Sequence, residues 1–150
     1  MLKLLSMNEK ELKVYLEHII KIYASEKVEA KNWNEEEAEE KSREQIMKTL
    51  EKGINEENQY LFVINYNDNF AGYVWIEIYK DEGMINDIWI KEDLRGIGLG
   101  KKTMKLIEEK FKEFNVNKIL LHVFYHNKYA IKLYEDLGYK ISNLYMYKIL

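Results

Sequence analysis

Arg95-Gly96-Ile97-Gly98-Leu99-Gly100-Lys101-Lys102-Thr103 carries three of the seven glycines in the chain. It stands between a strand-like apolar stretch and a helix-like amphipathic one. Glycine lacks a Cβ, so its φ turns positive at little cost and a ligand can approach its backbone closely. A loop of this kind directs several N–H groups at one point, and the helix that follows adds the positive end of its dipole. The stretch predicts a cradle for a phosphate or pyrophosphate at a strand-to-helix junction.

Working outward, residues 60–65, 70–79 and 84–90 read as strands, with turns at Asn67-Asp68-Asn69 and Asp81-Glu82-Gly83. In the middle strand Val74, Ile76 and Ile78 share one face, and Tyr73, Trp75, Glu77 and Tyr79 the other. Residues 1–7 form a first strand. Asn8 then caps a helix whose stripe is Leu12, Tyr15, Leu16, Ile19, Ile20 and Tyr23. Asn34, with Glu37 three residues on, opens a second helix through Ala38, Ile46 and Leu50 that stops at Gly53. Beyond the glycine loop, Met104, Ile107, Phe111 and Phe114 recur at helical spacing. Residues 119–125 are an apolar strand, and a helix runs from Asn127 to Gly138. Residues 139–150 read as a closing strand or hairpin. The order β-α-α-β-β-β-α-β-α-β predicts an α/β fold, a mixed sheet covered by helices on both faces.

With 150 residues and no repeat or linker, the chain is expected to be one domain over 1–150. Apolar residues make up 47% and charged residues 33%, the balance of a folded globular chain. A formal net charge of −3 argues against nucleic acid as a partner. No cysteine is present, so thiol nucleophiles, disulfides and cysteine metal sites are excluded. The three histidines fall on separate predicted elements and suggest no metal centre. The start, Met1-Leu2-Lys3-Leu4-Leu5, is too short for a signal core, and no apolar run approaches membrane-spanning length. A cytoplasmic protein without a membrane partner is expected. Proline is absent, which reads as compositional bias.

Three phosphate-loop patterns compete. A nucleoside-triphosphate loop needs G-x-x-x-x-G-K-[ST]; aligned on Gly100-Lys101, it meets Arg95 and Lys102 at two required positions and fails. A dinucleotide fingerprint needs G-x-G-x-x-G near the start of an alternating fold, whereas the spacing here is G-x-G-x-G after three strands and two helices. The third pattern, [Arg/Gln]-x-x-Gly-x-Gly/Ala after a strand, fits Arg95 through Gly100 at every position. In this the chain resembles the GCN5-related N-acetyltransferase family, whose loop binds the pyrophosphate of coenzyme A. The resemblance extends over most of residues 58–150. Leu121-x-Val123-x-x-x-Asn127-x-x-Ala130-x-x-Leu133-Tyr134-Glu135-x-x-Gly138-Tyr139 is similar to the family's second signature. Glu92 and Asp93 stand where the family often has proline and glutamate.

The resemblance implies an acyl-CoA N-acyltransferase fold, acetyl-CoA as co-substrate, and acetyl transfer to an amine within a ternary complex. It implies a cradle from the amides of Gly96, Ile97, Gly98, Leu99 and Gly100, with charge from Arg95 and from Lys101 unless the latter is simply solvated. It also places Ile88-Trp89-Ile90 beside the pantetheine arm, where a backbone N–H can stabilise an oxyanion. Asn127 would bond that arm, cap its helix, or do both. Tyr134, two turns on, is expected to protonate the departing thiolate, or else to pack as a core tyrosine. An amine must lose a proton to react. Asp87 and Glu77, acids inside predicted strands, are candidates for that role or for orienting substrate, and His122 is a third. His18 and His126 read as surface or structural residues.

For the acceptor, the acidic run of residues 35–40 with Trp33, Tyr73, Trp75 and Tyr79 suggests a cationic amine, small-molecule or peptide. The alternative is a solvated helix start plus core aromatics. Monomer and homodimer both remain open, as does a non-catalytic coenzyme A-binding sensor. No metal is expected.

Overall fold

Alternation along the central strand sets the two faces of the molecule. In the computed structural model, which describes residues 1–56 and 58–150 with side chains omitted for 52–56, that strand is β3 (Asn69–Tyr79). It lies in a five-stranded sheet ordered β1 (Leu2–Ser6), β2 (Gln59–Tyr66), β3, β4 (Glu82–Ile90), β5 (Lys118–Leu121). The first four strands are mutually antiparallel, and β5 runs parallel to β4. On one face Val74 and Ile76 join Phe62, Ile64 and Ile85 beneath Met104, Ile107 and Phe111 of α3 (Leu99–Glu113). On the other, Tyr73 and Trp75 join Val63 beneath Tyr15, Ile19 and Ile20 of α1 (Glu9–Glu29) and Ile46 and Leu50 of α2 (Glu35–Glu56). Each fully buried side chain of this size contributes roughly 1.5–3 kcal/mol. The expected mixed sheet with helices on both faces is what forms.

Helix α1 opens on a complete capping box: Asn8 Oδ1 accepts from Glu11 N–H, and Glu11 Oε2 from Asn8 N–H, both at 2.9 Å. The buried Ser42 hydroxyl donates to the Ile20 carbonyl at 2.7 Å, tying α2 to α1. Gly83 brings β4 and α3 together. A Cβ there would lie 2.4 Å from the Phe111 ring.

Three expectations are corrected. Helix α2 passes Gly53 and ends at Glu56, because one glycine costs only about 1 kcal/mol in a helix with tertiary support. The strand expected over 119–125 stops at Leu121. The expected closing strand does not form: residues 139–150 lie in no helix or strand. An apolar extended segment becomes a strand only when its backbone finds a partner, and within one chain this one has none.

Candidate active site

The sheet comes apart where the chemistry is expected. Strand β5 pairs with β4 only from Glu82↔Lys118 to Ile85↔Leu121. At that point Ile76 pairs with Ile85 but Trp75 with Asp87, so Asn86 is an extra residue on β4, a bulge. A bulge increases local twist, and beyond it β4 continues to Ile90 with β3 alone as partner among the described residues. Residues 86–90 thus present one open edge of main-chain N–H and C=O groups. That is the geometry a strand-like ligand needs, and it includes Ile88, Trp89 and Ile90.

At the C-terminal end of this open edge, a single 3-10 turn (Glu92–Leu94) leads into the glycine loop. Gly96 and Gly98 have φ of +76° and +80°, and a Cβ at either would meet nothing within 4 Å. The backbone here faces open space. Gly98 is the N-cap of α3, and the first helix-type bond is Lys102 N–H to Gly98 C=O at 3.2 Å. The N–H groups of Leu99, Gly100 and Lys101 therefore stay out of the helix ladder. Leu99, 2% exposed, anchors the loop in the core. Arg95 turns back instead of outward: its Nε donates to the Ile90 carbonyl at 2.8 Å and its guanidinium lies 6.0 Å from the Trp89 ring centre. Lys101 is exposed at the first turn of α3. The loop and open edge together fit a pyrophosphate followed by an amide-bearing chain.

Asp87 lies on the open half of β4 and faces α1. It accepts a hydrogen bond from Tyr15 Oη at 3.0 Å. The residue keeps some solvent contact, but its carboxyl is enclosed by protein. Burial pushes it up to about 7, against a downward pull from Tyr15 and from the Ile88 N–H. Tyr134, on α4 (Lys128–Asp136), is pushed up to about 12 by burial and then by the Asp87 charge. The acid and the phenol thus feel each other across the gap between β4 and α4. Asn127 caps α4, its Oδ1 accepting from Ala130 N–H at 3.3 Å. Gly100 lets α3 and α4 meet, since a Cβ there would lie 3.3 Å from Leu133.

The other candidates divide. Glu77 pairs with Met84, opposite the closed half of β4, and accepts from Asn86 Nδ2 at 3.3 Å. It touches the bulge and not the open edge. His122 keeps one side in solvent and lies edge-on to Phe124; the partial cover of its ring lowers its pKa, and the Lys27 charge lowers it further. The aromatic and acidic set does not converge. Trp75 is core and donates its indole N–H to Gln59. Tyr79 is exposed at the far end of β3, and Trp33 and Tyr23 already hold Lys27 at 5.1 and 5.5 Å. His126 Nε2 meets Glu26 at 2.5 Å and Glu29 at 3.5 Å, pinning the end of α1 to the loop before Asn127.

One residue escaped the sequence reading, and a second, read there as surface or structural, packs beside it. Tyr15 looked like one more member of an apolar helical stripe. His18, one turn on, packs 4.4 Å from Trp89 and 5.4 Å from Tyr73, with its pKa lowered by burial. Only Asn86-Asp87, adjacent polar residues inside a strand, hinted that this part of the sheet was unusual.

Residues 16–139 match the acetyltransferase (GNAT) family. The chain belongs to that family. It is 31% identical over 147 residues to YycN, an uncharacterized N-acetyltransferase of Bacillus subtilis, spanning 95% of this chain and 94% of that protein. The crystal structure of YycN superposes with a TM-score of 0.94 at 30% identity, covering 100% of this chain and 99% of that one. YdgE, another uncharacterized N-acetyltransferase of the same organism, is 29% identical over 148 residues, 95% of this chain and 94% of YdgE. PaiA N-acetyltransferase from Thermoplasma acidophilum, solved in complex with coenzyme A, shares the fold at TM-score 0.70 and 14% identity, over 96% and 92% of the two chains. No described helix is long and apolar enough to cross a membrane.

Proposed function

We propose that this acetyltransferase moves the acetyl group of acetyl-CoA directly to a primary amine, small-molecule or peptide, both substrates being bound together. The observation that carries the reading is the open half of β4. One stretch of backbone offers an unpaired edge, ends at a loop of free N–H groups, and holds a carboxyl at about 7. Acetyl-CoA supplies an activated thioester. The amides of residues 96–100 receive its pyrophosphate, the edge of Ile88, Trp89 and Ile90 pairs with its arm, and Asn127 adds a side-chain amide. Arg95 holds the end of β4 against the loop, and Lys101 adds positive charge nearby.

Asp87 is the proton acceptor. A carboxyl near 7 is partly ionised at neutral pH, and the proton leaves as the C–N bond forms, when the nitrogen becomes strongly acidic. Glu77 positions Asn86, and through it the bulge that turns Asp87. An N–H of the open edge stabilises the oxyanion as the C–S bond begins to break. Tyr134 stays protonated at neutral pH and points a donor at the departing sulfur. Full transfer from a group near 12 to a thiolate near 8.5 is uphill by roughly 5 kcal/mol. Tyr134 therefore acts chiefly by hydrogen bonding to the sulfur, with solvent completing the protonation.

The test is thiol release from acetyl-CoA across a panel of amines and peptides, with mass spectrometry of the products. Amine-dependent release with an acetyl mass gain is expected. Thermal stabilisation by acetyl-CoA with no release from any amine would favour a sensor instead.

A further inference from the structure

The last turn of α1 carries two carboxylates that meet one imidazole. His126 Nε2 lies 2.5 Å from a Glu26 oxygen and 3.5 Å from a Glu29 oxygen, and the three ligand atoms all fall within 4.8 Å of one another. Glu26 and Glu29, three positions apart, share a helix face. His126 arrives from the loop before α4, 100 residues on from Glu26. The expectation of no metal rested on three histidines scattered over separate elements. Here a single histidine is joined by carboxylates instead.

Hydrogen bonding does not account for this convergence. One ring nitrogen carries at most one proton. Spent on Glu26, that proton leaves Glu29 with no donor from His126. No lysine or arginine among the described residues forms an ion pair with either carboxylate, and Lys27, the neighbour of Glu26, lies against the Tyr23 and Trp33 rings. Both acids also stand at the C-terminal end of α1, where the helix dipole opposes negative charge and favours a cation. The imidazole is held in place from behind. Phe124 stacks on it at 5.5 Å and 15°, and Asn127 N–H to the Phe124 carbonyl and Lys128 N–H to the His126 carbonyl, both 2.9 Å, fix the backbone on either side.

We propose that Glu26, Glu29 and His126 bind one divalent cation of the zinc class. An imidazole with two carboxylates suits Zn²⁺ and its first-row neighbours, whereas Mg²⁺ and Ca²⁺ prefer oxygen-only sets. With bonds of about 2.0–2.2 Å, the ligand atoms of a tetrahedral zinc site lie about 3.3–3.6 Å apart. The Glu29 oxygen already stands at that separation from Nε2. The Glu26 oxygen has to withdraw by about 1 Å, which a small side-chain rotation provides. The cation takes the Nε2 lone pair, the proton shared with Glu26 leaves to solvent, and water completes the coordination. A cation held this way joins the end of α1 to the loop that leads into Asn127. It braces the fold there and takes no part in the acetyl transfer.

No cysteine competes for the metal. Tag-free, full-length protein is stripped with a chelator, dialysed and titrated calorimetrically with ZnCl₂, with MgCl₂ as the control. One Zn²⁺ per chain, a rise in the unfolding temperature with Zn²⁺, and neither effect with Mg²⁺ are the expected results. His126→Ala should abolish binding. Glu29→Gln changes an exposed side chain and keeps the pair between His126 and Glu26, yet it should weaken Zn²⁺ binding by at least about tenfold. A parent chain that binds no Zn²⁺, or that responds equally to Mg²⁺, would overturn the proposal. So would a folded Glu29→Gln protein that binds Zn²⁺ as tightly as the parent, because an ion-pair clamp alone does not need Glu29. None of these readouts depends on turnover.

Discussion

The two halves of β4 are consecutive stretches of one strand, yet their edges differ. Residues 82–85 are bonded to β3 on one edge and β5 on the other, with Gly83 pressed against Phe111. Residues 86–90 keep β3 but lose β5 at the Asn86 bulge. The first half fixes the sheet against α3. The second offers open backbone beside a buried acid. What separates their pairing is one inserted residue and one parallel partner that stops early. A site can thus be made by withholding a hydrogen-bonding partner, with the neighbouring half supplying the rigidity that keeps the edge open.

The comparison breaks most severely at Asp87. Asp87→Asn keeps an oxygen that can accept from Tyr15 Oη but cannot accept a proton from the amine. It should lower kcat/KM by about 10²- to 10⁴-fold, the usual range for a positioned base. In the parent protein the pH profile of kcat/KM should rise through an acid limb near 7. Stability should move the other way. The folded carboxyl is raised from 3.8 to about 7, so the folded state binds its proton more tightly than the unfolded state does. The resulting penalty is absent below about 4, grows as pH rises, and is complete above about 7, at roughly 4 kcal/mol. Asp87→Asn should therefore be more stable than the parent at pH 8 and show little advantage at pH 4, by urea denaturation. Lost activity with no gain at pH 8 would argue against a strained, buried carboxyl.

Tyr134 comes next. Tyr134→Phe removes a donor to the leaving sulfur and leaves the glycine loop and the edge of β4 untouched. A drop in kcat of roughly 10- to 100-fold is expected, the worth of a hydrogen bond to a charged group, with the Kd for coenzyme A changed little. A large loss of coenzyme A affinity, read by calorimetry, would instead make Tyr134 a packing or binding residue.

Gly83→Ala tests the closed half. The added methyl would sit 2.4 Å from the Phe111 ring, so α3 or the ring must shift. Overpacking of this kind destabilises by about 1–3 kcal/mol. Unfolding midpoints should fall accordingly, while kcat/KM at low temperature stays near that of the parent. If activity falls in step with stability, the two halves of β4 are not mechanically separate.

What could be read from the sequence was what is local. The glycine loop, the caps at Asn8 and Asn127 and the two faces of β3 each depend on residues a few positions apart, and each formed as expected. Asp87 was legible as an acid out of pattern in a strand. The end of pairing at Ile85↔Leu121 was not, because it depends on how far two segments more than 30 residues apart stay in register. Tyr15 was hidden for a related reason. Its ring packs in the core as its stripe predicts, and only its hydroxyl, reaching β4, has a further role. The aromatic residues near the acidic run looked like a cation site, but Trp75 serves the core and Trp33 holds Lys27.

The smallest expected effect is also the finest test of how the open half is tuned. Tyr15 Oη lowers the Asp87 pKa by bonding to the charged form, while burial raises it more strongly. Tyr15→Phe keeps the ring in its place against Tyr73, 4.9 Å away, and removes only the hydroxyl. With the downward pull gone, the acid limb of kcat/KM should move to higher pH. For a move of about one pH unit, equivalent to about 1.4 kcal/mol, activity at pH 7 should fall by about fivefold and recover as the pH is raised until Asp87 ionises. A purely structural loss would depress activity equally at every pH. An acid limb that stays where it was would detach Tyr15 from the proton acceptor, and would leave the bulge and the lost strand as the whole of what distinguishes the two halves.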